Sequence, residues 1–579
     1  MSSIRNNLKA TYSYQNYAFQ SDANIKKPQY RRAISYNDYH TLKEEPIAKE
    51  KSSPTINHIS IPIPESIAPI VHREIKSGRQ RIRWNLLFNV LVWLICPLPL
   101  WLPFVSNRLA IYCLPTIQAL FTLIWFIISL LAARNAFLLF QCVHLILLRF
   151  LKVFFPLFSS YRKRDYSLLL ATEEKNHNIR HVVVISCYKE PLELIKRSVD
   201  TLAAQSEVNR ISMIISFEER TPDVQIKCQT LQMHYAQAGF RDLIFTIHPY
   251  GLPDEIPGKC SNSNYALRTA VEQLKLTDKI NEDDILITTC DADSQFHRHY
   301  IAALTYQYIK DKQPALKTIY QPPLFYNWNL DGLSFFTRVT GLLRSTLMLG
   351  ALIPFSINTM SIFSFSLALV KAGNFVHPAY QMDDIICLIR WMCVTGRRLS
   401  IHMVPVPVLS GPTCGRTIEY EFMEWARQAR RWTIGAAEVF HYFMVKSRRI
   451  PFFTAFSWSM TFLIYYGILL CSSGLYGVTS LFSTFFLLED IPDRVLIVMY
   501  VSICVQMFSF SIAFLIDQFI PRLLNVDECI FFLRNLLHFL LTPFVLIAYS
   551  VVEFYALHEV MIRGKKVCKH GASNKNTLN

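Results

Sequence analysis

The sequence has no C-x-x-C pair and no N-x-S/T sequon, although it contains 14 cysteines. The cysteines are scattered, and several lie in long apolar stretches. Zinc sites and disulfide frameworks need cysteines at regular spacings, so this pattern favours buried free thiols in a reducing compartment. The missing sequon agrees with a cytosolic central region. The chain is long and polar before its first apolar run, so we expect no cleavable signal peptide.

Charged residues are also scarce, at 18% of the chain, whereas 51% of the residues are hydrophobic and 13% aromatic. This composition is too apolar for an ordinary soluble enzyme. Residues 84–104 and 110–131 contain no charge over about the 20 residues that cross a bilayer, and tryptophans lie near their ends. We therefore predict two transmembrane helices within residues 81–133.

The next apolar stretch is interrupted by His144, Arg149 and Lys152. This pattern predicts an amphipathic helix in the membrane surface over residues 134–165. Later in the chain, the region 451–560 contains three or four more transmembrane helices. The predicted spans are 452–475, 494–516 and 530–556, with 477–488 as a short apolar piece that could be a fourth.

The formal net charge of +16 raises the question of nucleic acid. The basic residues instead cluster beside the predicted spans, as the positive-inside rule requires, so we expect membrane lipids and no nucleic acid as partners. The rule places the disordered basic N-terminal region 1–80, the central region 166–450 and the basic tail 561–579 in the cytosol. A cytosolic tail requires an even number of later spans, which favours counting 477–488.

Within the central region, predicted strands alternate with predicted helices, which is typical of a mostly parallel, Rossmann-like α/β sheet. The predicted strands are His181–Ser186, Ile211–Phe217, Leu243–His248 and the run from Asp284. Glu218 and Glu219 follow the second strand, and Asp291 and Asp293 follow the last. Each is a solvated loop residue when considered alone, but ligands gather beyond the carboxyl ends of such strands.

Asp291 and Asp293 form a D-x-D tripeptide, which is either a turn or a site for Mg²⁺ or Mn²⁺ bound together with substrate phosphates. Lys259 lies at the start of a predicted helix, where it could bind a diphosphate or simply belong to an ordinary N-cap. Asp383 and Asp384 begin another helix, and capping is the alternative to a functional role for them.

Two aromatic segments have similar alternatives. Gln428, Arg431 and Trp432 lie on a helix that begins near Tyr420, and could serve as an interfacial anchor. The run Phe325–Trp328 could stack on sugar rings or pack in the core. The apolar stretch 345–370 lies inside the central region, so we interpret it as packed or interfacial.

In this order the motifs resemble those of the membrane-embedded family 2 glycosyltransferases, the group of the cellulose, chitin and hyaluronan synthases. The resemblance covers roughly residues 80–560. The motifs that carry it are Cys187-Tyr188-Lys189-Glu190, Glu218-Glu219, Lys259 with Asn262 and Asn264, Asp291-Ala292-Asp293, Asp383-Asp384 and Gln428-x-x-Arg431-Trp432. The Q-x-x-R-W pattern after these acidic motifs, with spans on both sides, is the specific part.

The resemblance implies a GT-A cytosolic domain that uses a UDP-sugar. Tyr188, Glu190 and Glu218 or Glu219 would contact the uridine and ribose, and Lys259 the diphosphate. The Mg²⁺ or Mn²⁺ cofactor would be held by the two aspartates of the D-x-D motif, Asp291 and Asp293.

The family also implies inversion at the sugar carbon, with Asp384 of the Asp383-Asp384 pair as general base. Gln428, Arg431 and Trp432 would hold the acceptor end and the diphosphate. The chemistry needs only one base, because the acceptor hydroxyl displaces the diphosphate directly.

This sequence departs from the family at three points. Phe217-Glu218-Glu219-Arg220 stands where paired aspartates are usual, Asp383 replaces a glutamate, and no F-x-V-T-x-K segment follows Trp432. The third departure argues against cellulose synthesis.

The sequence therefore predicts a multi-pass membrane enzyme of the plasma membrane or Golgi. It would use UDP-GlcNAc or UDP-glucose to extend a β-linked glycan and pass it into a channel formed by its own spans. The alternatives are a non-processive enzyme with a lipid acceptor and an inactive scaffold or transporter. The oligomeric state stays open.

Overall fold

The computed structural model describes residues 79–80, 85–140, 179–252, 255–274, 276, 281–326, 333–378, 382–411, 417–446, 450–523, 532–563 and 565–566. Most of the predicted N-terminal region 1–80, surface helix 134–165 and tail 561–579 lies outside these residues, as do Asn327 and Trp328.

The strands form a central sheet, a small sheet and a ribbon. They are β1 (Arg79–Gln80), β2 (Arg180–Cys187), β3 (Ile211–Glu218), β4 (Asp242–His248), β5 (Ile285–Asp291), β6 (Gln295–Phe296), β7 (Thr318–Gln321), β8 (Leu324–Phe325), β9 (Phe363–Ser366), β10 (Ser400–Met403), β11 (Val408–Leu409) and β12 (Lys565–Lys566).

The central sheet has seven strands in the order β10-β7-β9-β5-β2-β3-β4. All except β9 run in the same direction, because β9 is antiparallel to both of its neighbours. Strands β2, β3 and β5 are rich in β-branched residues and almost wholly buried, as expected for strands with helices on both faces. The predicted mostly parallel sheet is confirmed.

The helices that accompany the sheet are α4 (Leu192–Ala203), α5 (Val224–Tyr235), α6 (Lys259–Gln273), α7 (Tyr300–Lys310), α8 (Phe335–Leu347), α9 (Leu367–Ala372), α10 (Asp383–Thr395) and α11 (Ile418–Lys446). The apolar helices are α1 (Asn85–Ile95), α2 (Leu98–Val105), α3 (Asn107–Phe140), α12 (Phe452–Phe462), α13 (Ser473–Phe486), α14 (Asp493–Leu523) and α15 (Phe532–Arg563).

The apolar stretch 345–370 is packed. It continues α8 into a π-helical turn, Met348–Leu352, all of whose residues are buried, and then into β9. A Cβ on Gly350 would lie 2.0 Å from the carbonyl oxygen of Ile128, so the turn touches the backbone of α3.

Four of the helices among the described residues are long and apolar enough to cross a membrane. They cover Asn107–Leu139, Phe452–Phe486, Asp493–Phe519 and Phe532–Arg563. The first predicted span, 84–104, is absent from this set because it is broken into α1 and α2 at Cys96 and Pro97. Proline lacks an N–H and clashes with the preceding turn. The second extends beyond its predicted end, to Phe140.

Residues 452–475 and 477–488 were predicted as separate pieces, but 452–486 forms one helix through the π-helical segment Leu463–Ser472. Gly474 in this helix is closely packed. A Cβ on Gly474 would meet the Ser550 Oγ at 2.6 Å and the Leu546 carbonyl oxygen at 2.8 Å. Small residues allow such close helix contacts in membrane proteins. After the sheet, the part of the chain that the structure describes contains three candidate spans.

A buried cluster around Arg338 joins α8 to α14 and α15. The guanidinium donates to Asp517 at 2.9 Å and to Asn535 at 2.8 Å, and its Nη1 lies 3.2 Å from the Nδ1 of His538. Arg338 is 3% exposed and Asp517 is 5% exposed. The cluster therefore fixes the helix next to the sheet against two of the apolar helices.

We expect Arg338→Met to destabilise the protein by about 3–5 kcal/mol, because it leaves a buried carboxylate without its cation. The thermal midpoint in detergent would fall. Arg494→Met is the matched control, since Arg494 is exposed at the start of α14, and its midpoint should not change. Equal midpoints for the two variants would contradict the importance of this cluster.

Candidate active site

The carboxyl ends of the central strands bring predicted site residues to one edge of the sheet. Ser186 of β2 pairs with Asp291 of β5, and Cys187 pairs with Phe217 of β3. Tyr188 comes directly after β2 and Glu218 is the last residue of β3, so both lie at this same edge. The parallel register thus places side chains from three separate motifs within one region.

Lys259 lies at the centre of this edge. Its Nζ is 2.8 Å from Asp291 and 3.2 Å from Asp383, and it donates to the Ser361 carbonyl at 3.2 Å. The preceding Gly258 has φ 155° and ψ −170°, a conformation open essentially only to glycine. Burial opposes the charged ammonium, but the carboxylates of Asp291 and Asp383 outweigh it and raise the Lys259 pKa. The lysine is a fixed cation between two motifs.

Asp383 and Asp384 begin α10, and both are affected by this charge. Burial, followed by the negative charge of Asp383, raises the pKa of Asp384 to about 7, although Lys259 acts in the opposite direction. Burial also raises the pKa of Asp383. A carboxyl group that titrates near neutral pH is well matched to the work of a general base. Asp383 therefore pairs with Lys259 in addition to lying in the first turn of a helix.

This pKa predicts the pH dependence of the reaction. A base acts in its ionised form, so with Asp384 as the base kcat/KM should rise about tenfold per pH unit below pH 7 and level off above it. A divalent cation bound nearby would lower the pKa of Asp384 and so move the rising part of the profile to lower pH. The measurement is kcat/KM for the donor between pH 5 and 9 at several Mg²⁺ concentrations, and a flat profile down to pH 5 would contradict it.

The two aspartates of the D-x-D motif have different surroundings. The Asp291 side chain is 29% exposed, whereas Asp293 is fully buried. A Cβ on Gly411 would lie 2.3 Å from the Asp293 Oδ2, so only glycine leaves room for that carboxylate. Of the two carboxylates, Asp291 is therefore the one that a ligand from solvent can reach.

In the part of the chain that the structure describes, no group of three or more His, Cys, Asp and Glu side chains could hold a metal ion. Mg²⁺ is usually held by one or two carboxylates plus substrate phosphates, so a single accessible carboxylate at Asp291 still fits that mode of binding. Lys259 is already paired with this carboxylate. The cation and the lysine would therefore share Asp291.

A small pocket beyond β3 and β4 contains the second acidic motif. Glu218 pairs with Arg220 at 2.8 Å, and Glu219 accepts a hydrogen bond from the Tyr250 N–H at 2.7 Å. The Arg220 guanidinium lies 4.3 Å from the centre of the Tyr250 ring and 5.2 Å from that of Tyr188. Glu218, Glu219, Arg220 and Tyr250 line this pocket, and Tyr188 does not. Aromatic rings, cations and carboxylates are groups that contact planar polar molecules such as nucleobases.

The predicted donor residue Glu190 and two residues of the Lys259 motif, Asn262 and Asn264, have mainly structural partners. The Glu190 carboxylate accepts a hydrogen bond from the Tyr188 N–H at 2.5 Å and so fixes the turn after β2. Asn262 donates to the carbonyls of Cys187 and Ser216, and Asn264 accepts from Arg268. These groups shape the site by holding its loops.

Helix α11, which carries the Q-x-x-R-W motif, packs against the start of α10. A Cβ on Gly435 would lie 2.4 Å from the Met382 Sδ and 3.0 Å from the Ile385 Cδ1, so the two helices touch next to these aspartates. Gln428, Arg431 and Trp432 are each half-buried on this helix. The neighbouring Arg430 is instead held by Glu559 of α15 at 2.6 Å.

Arg344 of α8 is a site residue that sequence reasoning missed. Its guanidinium lies 3.8 Å from the ring centre of Trp432 and 4.5 Å from that of Tyr326. The available signal was a lone arginine at the edge of an apolar run. Arg220 and Tyr250 were also missed, and the departure at Phe217–Arg220 was the signal for the first of them.

No protein-family model and no curated protein matches this chain. Among solved structures, it is similar to a mannosyltransferase from Pyrobaculum calidifontis in complex with GDP-Man and Mn²⁺. The identity is 13%, the match covers 63% of this chain and 94% of that one, and the TM-score is 0.36. It is also similar to TarS of S. aureus, at 10% identity over 45% and 40% of the two chains, with a TM-score of 0.27. Similarity this low leaves the function to be argued from the site.

Proposed function

We propose that the protein is an inverting membrane glycosyltransferase that transfers a sugar from UDP-GlcNAc or UDP-glucose to a growing β-linked glycan. The domain would be of the GT-A type, and its apolar helices would pass the product across the membrane. The observation that carries the proposal is the position of Asp384, a carboxyl group with a pKa of about 7, beside the Lys259–Asp291 pair and next to the helix of Trp432.

In this reaction Asp384 takes the proton of the acceptor hydroxyl while that oxygen bonds to the anomeric carbon. The bond from this carbon to the diphosphate breaks, and the electron pair leaves with the nucleotide diphosphate. Lys259 and Arg431 provide positive charge for the leaving group, since a fixed cation stabilises the developing negative charge. Trp432 provides a flat apolar surface for the acceptor sugar.

The donor base would bind beside Arg220 and Tyr250, and its diphosphate would extend toward Asp291. Mg²⁺ or Mn²⁺ bound at Asp291, with Asp293 behind it, would neutralise the diphosphate and improve it as a leaving group. The ion would be held jointly by this carboxylate and the phosphates, which agrees with the lack of a three-residue ligand cluster in the described ranges.

Contacts at both ends of α15 support a topology with the sheet and the paired strands β1 and β12 on one side of the membrane. Asn535, near the start of α15, bonds to Arg338 of α8, and Glu559, near its end, bonds to Arg430 of α11. The helix thus contacts α8 near its start and α11 near its end, so this topology does not count α15 as a crossing although it is apolar enough to be one. The broken pair α1–α2 and helix α3 would cross before the sheet, and α12–α13 and α14 after it. The basic flanking residues make that side the cytosol.

The test is to incubate purified protein with a panel of radiolabelled UDP- and GDP-sugars, with and without Mg²⁺ or Mn²⁺. Released nucleotide is measured, and products are sized and digested with linkage-specific hydrolases. We expect metal-dependent UDP release and a β-linked product. A product soluble in organic solvent would favour the non-processive enzyme with a lipid acceptor. No release with any donor would contradict the proposal and favour a scaffold or transporter.

A further inference from the structure

An open cavity lies where helices α8, α11 and α15 begin, and none of its lining residues takes part in the reaction above. Its volume is about 380 Å³. Glu421 of α11 lines it and lies about 10 Å along the helix axis before Gln428, the first residue of the Q-x-x-R-W motif. The cavity is therefore distinct from the candidate active site.

Three polar side chains line the cavity. Glu421 and His538 are 3% and 4% exposed, and Arg534 is half-buried. The Glu421 Oε1 accepts hydrogen bonds from the N–H and the hydroxyl group of Ser334, at 3.1 and 2.7 Å. Arg534 donates to the Leu333 carbonyl at 2.7 Å. These bonds hold one cation and one carboxylate in place on the walls of the same cavity.

The remaining walls are mostly apolar and open toward lipid. Ile418 is 62% exposed and Leu537 is 54% exposed, and Leu541 lies one turn beyond Leu537 on α15. Leu533 and Leu540 of the same helix are also more than half exposed. This helix is apolar enough to cross a membrane, and exposed apolar patches of this kind mark membrane contacts. The cavity thus has charged groups inside and an apolar wall that acyl chains can cover.

The charges of the cavity match a zwitterionic headgroup. A guanidinium can only donate, so the Nδ1 of His538, 3.2 Å from the Arg338 Nη1, is an acceptor and the ring is uncharged. Arg534 and Glu421 then leave one positive and one negative group. A phosphate pairs with a guanidinium, and a primary ammonium donates to a carboxylate. A trimethylammonium group has no N–H to donate, and an anionic lipid places no cation beside Glu421.

We propose that this cavity binds a phospholipid with a primary amine, of the phosphatidylethanolamine type. The phosphate pairs with Arg534, the ammonium donates to Glu421, and the acyl chains cover Leu537 and Leu541. The bound lipid joins the starts of α8, α11 and α15. This inference goes beyond the proposed function, because the ligand is neither donor nor acceptor and its binding requires no sugar transfer.

The test measures lipid binding to the full chain, purified and delipidated in detergent. Binding is followed by native mass spectrometry and by the rise in thermal midpoint that a ligand of the folded state causes. The probes are dioleoyl phosphatidylethanolamine, dioleoyl phosphatidylcholine, dioleoyl phosphatidylglycerol and the water-soluble headgroup glycerophosphoethanolamine. The variants are Glu421→Gln and Arg534→Met. Arg494→Met is the matched control, since Arg494 is exposed at the start of α14.

Wild type should bind phosphatidylethanolamine at least about tenfold more tightly than the other two lipids, because only this lipid donates hydrogen bonds to the Glu421 carboxylate. Glu421→Gln should lose the preference but keep its thermal midpoint without lipid, because its amide oxygen still accepts from Ser334. Arg534→Met should weaken binding of all three lipids by at least about tenfold, because the phosphate loses its cation. Arg494→Met should bind lipids as wild type does.

Equal binding of phosphatidylethanolamine and phosphatidylcholine by wild type would overturn the inference, as would a preference that survives in Glu421→Gln. Binding of no lipid, or binding of glycerophosphoethanolamine as tightly as the lipid, would also overturn it. If Arg534→Met does not fold, the comparison of wild type with Glu421→Gln decides alone. No sugar donor is present in these measurements, so their outcome is independent of the nucleotide-release assay that tests the proposed function.

Discussion

Asp384→Asn is expected to lose sugar transfer by about 10²- to 10⁴-fold, the range that a general base contributes. Asparagine has the same shape and can keep the hydrogen bond that the Asp384 Oδ1 accepts from the Ile385 N–H at 3.0 Å. It cannot take a proton from the acceptor hydroxyl. The loss should appear in kcat, and the dissociation constant for UDP should stay within about threefold, because Asp384 serves the acceptor.

The control for this variant is Asp490→Asn. Asp490 is exposed in the loop between α13 and α14 and has a φ of 52°, which asparagine tolerates well. Its kcat should equal that of wild type. Normal turnover by Asp384→Asn would rule out Asp384 as the base. A parallel loss of UDP binding would instead assign this aspartate to the donor.

Much of the sheet could be predicted because its signals are local. The strand from Asp284 is observed as Ile285–Asp291, and the helix expected to end near Thr395 is observed as Asp383–Thr395. Runs of β-branched residues between turns and helices define such elements. Because the carboxyl ends of neighbouring parallel strands lie at the same edge of a sheet, the predicted strands alone indicate that their terminal residues meet there.

The contacts across the site could not be predicted, because they join residues far apart in the chain. Nothing near Lys259 in the sequence indicates that its ammonium lies between Asp291 and Asp383. The sequence suggested a lysine that either meets a diphosphate or belongs to an ordinary N-cap, and the structure shows that its ammonium also pairs with two carboxylates. Arg344 was missed for the same reason, since its contacts are with Tyr326 and Trp432 of other elements.

The membrane helices show where composition misleads. Residues 84–104 are uncharged over the length that crosses a bilayer and were therefore predicted as one transmembrane helix. The chain is instead divided into α1 and α2 at Pro97. Residues 452–475 and 477–488 were predicted as separate pieces, yet one helix covers both, and Gly474 within it packs against Leu546 and Ser550. Proline breaks a helix through its own backbone, whereas glycine leaves the outcome to the neighbouring helix.

Lys259→Met is expected to lower sugar transfer at pH 7 by more than about 100-fold. The lysine provides positive charge for the leaving diphosphate, and it also keeps more of the base Asp384 ionised. The change leaves Asp291 and Asp383 without the ammonium that pairs with them. Lys259 also lowers the pKa of Asp384, so its removal should raise that pKa above about 7. More of the base is then protonated at neutral pH, and the rising limb of the pH profile moves to higher pH.

The pH shift separates this electrostatic role from a structural one. A variant that was only less stable would lose activity at every pH, and the rising part of its pH profile would stay where it is in wild type. A variant that only raised the pKa of Asp384 would regain part of its activity at pH 9, where Asp384 is ionised again. Lys371→Met is the matched control, since Lys371 pairs with the half-exposed Glu282 at 2.6 Å, and such pairs contribute little. Its profile should match wild type.

Lys259→Arg should restore the position of the rising part of the pH profile, because the charge is kept. It should not restore the full rate, because the planar guanidinium differs in geometry from an ammonium. If folded Lys259→Met protein kept the wild-type position of the rising part of its pH profile, Asp384 would not be the group that sets the pH dependence of sugar transfer.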